Sequence, residues 1–342
     1  MPSFRAPIGA VAHIQMSHAV EDLVAGAVSG LIARMCIAPL DVVKIRIQVE
    51  PEEQRGRNAQ HPGGAQQGTT SARGAVPPSR TLRLLVSIAR HEGLRALWQG
   101  NLPAVIMVVP FSAVQFSAVG SFRTGLEQSL GLSAPGSIVL ASAAAASCAT
   151  LATYPLDLLR TRLAAQRHGE VYRGLVDGVV SIMRSRGVRG LYAGVGVSIV
   201  ETVPYAVIGF TSYDFFKRTI SSTDHFPRWM PDAFLSGALA GLVVKLCLLP
   251  LDNLKLRLQV QTDFFRSAQS SPGSSPLNGR QLCMNILRHE GLRAFYRGFA
   301  PTMLKTIPNS AIHFGVYEAV KRAWRARAPA AGEATTTPPD QD

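Results

Sequence analysis

The chain has 342 residues, 47% of them apolar and only 17% charged, with 35 lysines and arginines against 22 acids and a net charge of +13. Soluble domains carry about 25% charged residues, so the balance favours a membrane protein over a soluble domain. The basic excess suits anionic lipid better than nucleic acid, because no zinc, RNA-recognition or basic-helix motif accompanies it.

Residues 1–19 contain Arg5 and no acid, but they lack an apolar core or an amphipathic arginine pattern, so a cleaved leader is not expected. Further along, Asn101–Phe122 and Ser137–Leu156 carry no charge, and each is about the 20 residues that a helix needs to cross a bilayer. Other apolar stretches hold isolated charges: Arg34, Glu201, Lys245 and Lys305. Such charges are costly in lipid and normally face protein or a water-filled cavity. The four cysteines are scattered, with neither a disulfide framework nor metal-ligand spacing.

Three landmarks recur three times. Pro39, Pro155 and Pro250 each open a P-L-D-x-x-[KR]-x-R segment. Trp98, Tyr192 and Tyr296 each stand two residues before a glycine, and Pro110, Pro204 and Pro308 each follow those aromatics by 12 residues. The chain is therefore a tandem triplication: an N-terminal segment (1–19), repeats over 20–128, 129–224 and 225–326, and a low-complexity tail (327–342). Each repeat reads as a helix, a loop with a short helix, and a second helix. The Gly-, Pro- and Gln-rich loop of repeat one (51–79) reads as disordered. Small pairs ahead of the prolines, Gly26/Gly30, Ser142/Ala146 and Gly237/Gly241, predict close helix packing.

Behind each proline lies an acid and, three residues on, a base: Asp41/Lys44, Asp157/Arg160 and Asp252/Lys255. This spacing allows a local pair on one helix face. It also allows a ring, in which Asp41, Asp157 and Asp252 meet Arg160, Lys255 and Lys44 on neighbouring helices and close one end of a central cavity. Arg34 and Lys245 stand seven residues before Asp41 and Asp252, which returns them to nearly the same helix face; Thr150 holds that place in repeat two. The second helices end in a similar pattern, with Tyr213, Asp214 and Lys217, then Tyr317, Glu318 and Lys321, while repeat one keeps Arg123 but has Gly120 for the acid. A ring at that end is expected to be incomplete. Nothing along the chain reads as a converged nucleophile, base or metal set, nor as a cofactor motif.

These residues resemble the mitochondrial carrier family, whose signature P-x-[DE]-x-x-[KR]-x-[KR] followed by [DE]-G-x(4)-[WYF]-[KR]-G is matched across nearly the whole chain. Repeat two departs with Arg186-Gly187 and Ala193, and repeat one has Gln99 for a base. The resemblance implies an all-α membrane protein of six transmembrane helices with short matrix helices. It implies a multi-pass place in the mitochondrial inner membrane, and alternating access between a matrix gate (the proline-linked charges) and a cytoplasmic gate (the Arg123, Asp214 and Glu318 pattern). It implies cardiolipin at helix N-termini, and a single chain as the working unit is expected. Substrate contacts then fall at Met107, Glu201 and Lys305, with Arg34 and Lys245; a mutual ion pair of Glu201 and Lys305 with no ligand role is the lesser alternative. Segments such as "RMCIAPLDVVKIRIQ" and "LKTIPNSAI" are similar to fungal members that carry thiamine pyrophosphate, imported in exchange for nucleotides. The same residue set suits nucleotides or coenzyme A, and a non-transporting scaffold is the alternative of another class.

Overall fold

The computed structural model describes residues 8–49, 78–130, 134–166, 171–221, 232–261 and 277–327; the loop of repeat one (51–77) and the tail (328–342) lie outside the described residues. The described residues are mostly helical, with no strand among them. In chain order the helices are α1 (Ile8–Val49), α2 (Pro78–His91), α3 (Asn101–Ile106), α4 (Val108–Leu130), α5 (Ala134–Ala165), α6 (Leu175–Leu191), α7 (Val195–Ser221), α8 (Asp232–Val260), α9 (Gly279–His289) and α10 (Phe299–Arg327), with 3-10 turns at Leu94–Trp98 and Leu292–Tyr296.

Five stretches are long and apolar enough to span a bilayer: Val24–Val49, Leu94–Ser129, Gly136–Ala165, Val195–Ser221 and Leu235–Val260. Their apolar side chains mostly face outward; only 6% of the α7 window is buried. A helix that exposes apolar residues on this scale is solvated by lipid rather than water. The sixth expected span, α10, is 29 residues long but carries Lys305, Glu318 and Lys321, and it falls outside that apolar set.

The chain divides into two compact units, residues 1–37 with 305–342, and residues 38–304. The first holds the N-terminal part of α1 and most of α10. Within the second, α4 packs along α5, α7 along α8, and α5 against both α7 and α8.

Helices α1, α5 and α8 each run through their proline, which lacks the N–H that would bond the carbonyl four residues earlier. Behind each proline, three equivalent apolar clusters form. Val42, Val43 and Ile47 of α1 meet Ile88 of α2 and Leu97. Leu158, Leu159 and Leu163 of α5 meet Tyr172, Ile182 and Leu191. Leu254 and Leu258 of α8 meet Leu282 and Ile286 of α9 and Phe295. Each cluster fastens a short helix beneath the end of a long one, and α9 starts with its Gln281 side chain accepting the Asn278 N–H at 3.0 Å.

The close-packed stripe is not the one expected from the glycines. A Cβ built on Gly26, Gly30, Gly237 or Gly241 would meet nothing within 4 Å. The buried small residues lie one position earlier: Ala25, Ser29 and Ala33; Ala141, Ala145 and Ala149; Ser236 and Ala240, followed by Val244. One residue turns a helix by 100°, so the same i, i+4 spacing sits on an adjacent face, and alanine and serine rather than glycine provide it.

Six glycines among the described residues sit at positive φ, and at two of them a side chain would also collide with a neighbour. Gly100 and Gly298 sit at φ +77° and +81°, where an L side chain is strained. A Cβ on Gly100 would strike the Arg160 carbonyl, and one on Gly298 would strike the Gln48 side chain.

Candidate functional site: a charged ring at the proline end

The acids behind the prolines lie within unit 38–304. Arg160 of α5 donates to Asp41 of α1 at 3.0 Å, and Lys255 of α8 pairs with Asp157 of α5 at 2.9 Å. Asp252 lies in the field of Lys44 and also accepts from Lys245, two turns earlier on its own helix, at 3.1 Å. The carboxylates are mostly buried, with Asp41 and Asp252 side chains 16% exposed and Asp157 18%. Partly buried pairs of this kind interact more strongly than surface pairs, because water screens them less.

Beneath this ring lies a glutamine layer. Gln259 Nε2 donates to Asp157 at 3.1 Å and to the Tyr154 hydroxyl at 3.3 Å, and that hydroxyl donates to the Ala193 carbonyl at 2.8 Å. Gln48, at the equivalent place on α1, is fully buried with both amide atoms lacking a hydrogen-bond partner.

Below the glutamines is a ring of arginines that spacing alone did not single out. Each arginine seven residues past its proline reaches the C-terminal carbonyls of the next long helix. Arg46 donates to the carbonyls of Ala164 at 3.2 Å and Gln166 at 2.7 Å. Arg162 donates to the Gln259 carbonyl at 2.8 Å, and Arg257 to the Gln48 carbonyl at 3.4 Å. A helix C-terminus carries partial negative charge, so a guanidinium there is favourable. The other face of each guanidinium is held by its own repeat. Arg46 meets both oxygens of Glu92 at 2.5 and 2.9 Å. Arg257 meets both oxygens of Glu290 at 2.7 and 2.9 Å, and Arg297 reaches the same carboxylate at 2.6 Å. Burial alone pushes the Glu290 carboxyl up, but the hydrogen bonds from Arg257 and the charges of Arg257 and Arg297 outweigh it and hold it below the ordinary value. In repeat two, Arg186 stands where the acid would be. There Arg162 turns to the Tyr172 hydroxyl at 3.2 Å, and Gln166 pins the Tyr172 backbone, donating to its carbonyl at 2.9 Å and accepting its N–H at 3.0 Å.

The remaining candidates distribute as follows. Glu201 of α7 is half-buried and lies in the fields of Asp252, Lys255 and Lys245. Met107 lies at the break between α3 and α4, half-buried. Arg34 and Lys305 belong to the other unit and are half-buried.

At the opposite ends of the second helices, the bases are engaged within their own helices. Arg123 donates to Glu127 at 2.8 Å, and Glu127 also accepts from Ser137 at the start of α5 at 2.9 Å. Lys217 lies 5.8 Å over the Tyr213 ring and Lys321 5.2 Å over the Tyr317 ring. Asp214, Lys217 and Glu318 are exposed. The position three before Arg123 holds Gly120, so the acid partner is instead Glu127, an i, i+4 pair readable in the sequence.

Long lipid-facing helices, charged residues gathered at one helix end and threefold repetition define a multi-pass membrane transporter. The family described as Mitochondrial carrier protein matches residues 15–130, 133–224 and 227–327, and the chain belongs to that family. Among similar proteins, the "Mitochondrial thiamine pyrophosphate carrier 1" of Botryotinia fuckeliana (strain B05.10) is 38% identical, over 88% of this chain and 91% of that one. That of Pyricularia oryzae (strain 70-15 / ATCC MYA-4617 / FGSC 8958) is 36% identical over 88% and 91%. The "Mitochondrial thiamine diphosphate carrier 1" of Zea mays is 37% identical over 89% and 94%.

Proposed function

We propose that this protein carries thiamine pyrophosphate across the mitochondrial inner membrane by alternating access, in exchange for nucleotides. The observation that carries the proposal is the pairing of opposite charges at Asp252, where Lys245 and Glu201 stand above the ring of acids and bases. The substrate has a cationic thiazolium, an aminopyrimidine and an anionic diphosphate. An ammonium suits the diphosphate and a carboxylate suits the ring end, with Met107 offering an apolar surface and Arg34 and Lys305 two further cations. The likeness to fungal and plant thiamine pyrophosphate carriers over most of the chain supports the same substrate.

The proline-end charges then form the matrix gate: Asp41 with Arg160, Asp157 with Lys255, and Asp252 with Lys44. Arg123, Tyr213, Asp214, Lys217, Tyr317, Glu318 and Lys321 form the cytoplasmic gate. In unit 38–304 two of the proline-end pairs, Asp41–Arg160 and Asp157–Lys255, are engaged, whereas Arg123 and Lys217 are held within their own helices, an arrangement that suits a cytoplasm-facing state. The backbone N–H groups that follow Gly100, Gly194 and Gly298 at helix starts suit the phosphates of cardiolipin, and one chain is the working unit.

Purified protein in liposomes tests the substrate. Labelled thiamine pyrophosphate should enter vesicles preloaded with thiamine pyrophosphate or nucleotides and not enter empty ones. Uptake of nucleotides or coenzyme A alone would replace this substrate, and no uptake of any of the panel would favour a scaffold.

A further inference from the structure

The end of the second helix in repeat one departs from the other two repeats at several places that fit together. In repeats two and three the terminal base has a tyrosine four residues before it and an acid three before: Tyr213 and Asp214 for Lys217, Tyr317 and Glu318 for Lys321. Those lysines lie 5.8 and 5.2 Å over their tyrosine rings. Repeat one has Val119 and Gly120 at these places, so neither a ring nor an acid precedes Arg123 there. The acid stands instead at Glu127, four residues after the base, where repeats two and three have Ser221 and Arg325. Positions 120 and 127 are seven residues apart, which returns a helix to within about 20° of the same face, roughly 10 Å further along.

The start of the next long helix matches this shift. Eighteen residues before their prolines, repeats one and three have Glu21 and Asp232, whereas repeat two has Ser137. An acid at 137 would meet Glu127 with like charge. The serine instead donates to the Glu127 carboxylate at 2.9 Å and is fully buried. The same carboxylate oxygen accepts from Arg123 Nε at 2.8 Å. One oxygen thus holds the base of α4 and the beginning of α5. A charge-assisted bond does for Arg123 what the tyrosine ring does for each lysine, and it reaches a second helix as well.

We propose that Glu127 is a positioning residue of the transport cycle: it holds Arg123 on its own helix and fastens α4 to α5, so that the cytoplasmic gate receives this base only when Glu127 lets it go. The positioning role rests on the transport reading above. Its two bonds have separate consequences. The ion pair sets how readily the gate closes. The serine bond keeps the outer ends of α4 and α5 together whichever way the gate stands.

The test uses the full chain in liposomes, with the native cysteines replaced and Thr150→Cys as a reporter labelled from the cytoplasmic side. Glu127→Gln keeps an acceptor for Ser137 but removes the charge that holds Arg123. Labelling should fall about two-fold, the range of an exposed pair one turn apart, and the rate of thiamine pyrophosphate exchange should change with it. In an Arg123→Gln background the same substitution should alter neither, because its effect runs through that base. Unchanged labelling by Glu127→Gln, or an equal fall in the Arg123→Gln background, would overturn the proposal. Should Glu127→Gln fail to fold, Ser137→Ala gives a second readout. Spin labels at Gln128 and Leu140, both exposed, should report one narrow distance with and without thiamine pyrophosphate, and Ser137→Ala should broaden it. A broad distance in the parent protein, or none of this broadening, would overturn the fastening of α4 to α5. Wild-type protein that exchanges no substrate would remove the transport reading and the positioning role with it, while the spin labels would still decide whether the two helices are joined.

Discussion

Glu290→Gln is the sharpest test of the arginine layer. The carboxylate receives two bonds from Arg257 and one from Arg297, and the three side chains are 17%, 9% and 5% exposed. Substitution keeps the shape and one acceptor but leaves two nearly buried guanidinium groups without their shared anion. Breaking a buried charge pair on one side costs about 3–5 kcal/mol. Since the amide oxygen still accepts, the lower figure, about 3 kcal/mol, is expected. At roughly 2 °C per kcal/mol for a chain of this size, the midpoint of thermal unfolding in detergent, followed by circular dichroism, should fall by about 6 °C at pH 7. The pH dependence adds a signature. Because Glu290 titrates below its ordinary value in the folded protein, its contribution is complete above the unfolded value of about 4.3. It is lost as pH falls through the folded value. The gap between wild type and variant should therefore hold down to about pH 5 and close under stronger acid. A gap under about 2 °C at pH 7, or one that widens on acidification, would refute the reasoning.

Exchanging Asp41→Arg with Arg160→Asp should restore part of the transport that either single change abolishes, as measured by liposome exchange. A double variant no better than the singles counts against a bridge between α1 and α5. Gly298→Ala should lower the unfolding midpoint, since a left-handed backbone costs an L side chain about 1–2 kcal/mol and the new methyl would strike Gln48; an unchanged midpoint would show that Gln48 yields easily. Gly120→Asp, whose Cβ would have open space around it, offers Arg123 an acid three residues before it in competition with Glu127. Labelling of an introduced cysteine from the cytoplasmic side and the exchange rate should both fall, and no change in either would make Arg123 a solvated helix end.

What the sequence made legible was whatever repeats. Pro39, Pro155 and Pro250 fix the frame, and the acids and bases behind them follow by counting, because side-chain identity carries that information. The arginine layer was harder to see, although Arg46, Arg162 and Arg257 stand in plain view. Their acceptors are backbone carbonyls, which look the same at every residue, so no pattern in the letters marks Ala164, Gln166, Gln259 or Gln48 as their targets. The packing stripe was misplaced by one residue for a related reason. Ala25/Ser29, Ala141/Ala145 and Ser236/Ala240 have the same spacing as the glycine pairs on the adjacent face, so spacing alone does not choose between the two. The departure at Arg186 could be read, but its accommodation by Tyr172 and Gln166 depends on the path of the chain between α5 and α6.

The arginine ring and the acid–base ring differ in what each asks of heredity. A bridge such as Asp41–Arg160 has two genetic owners, and a change in either codon destroys it. The link from Arg46 to the end of α5 has only one, since the Ala164 and Gln166 carbonyls belong to the peptide and survive nearly any substitution there. The outer layer thus presents half the mutational target of the inner one for the same number of connections between helices. A lineage can retune the inner charges pair by pair while the three helix ends stay tethered.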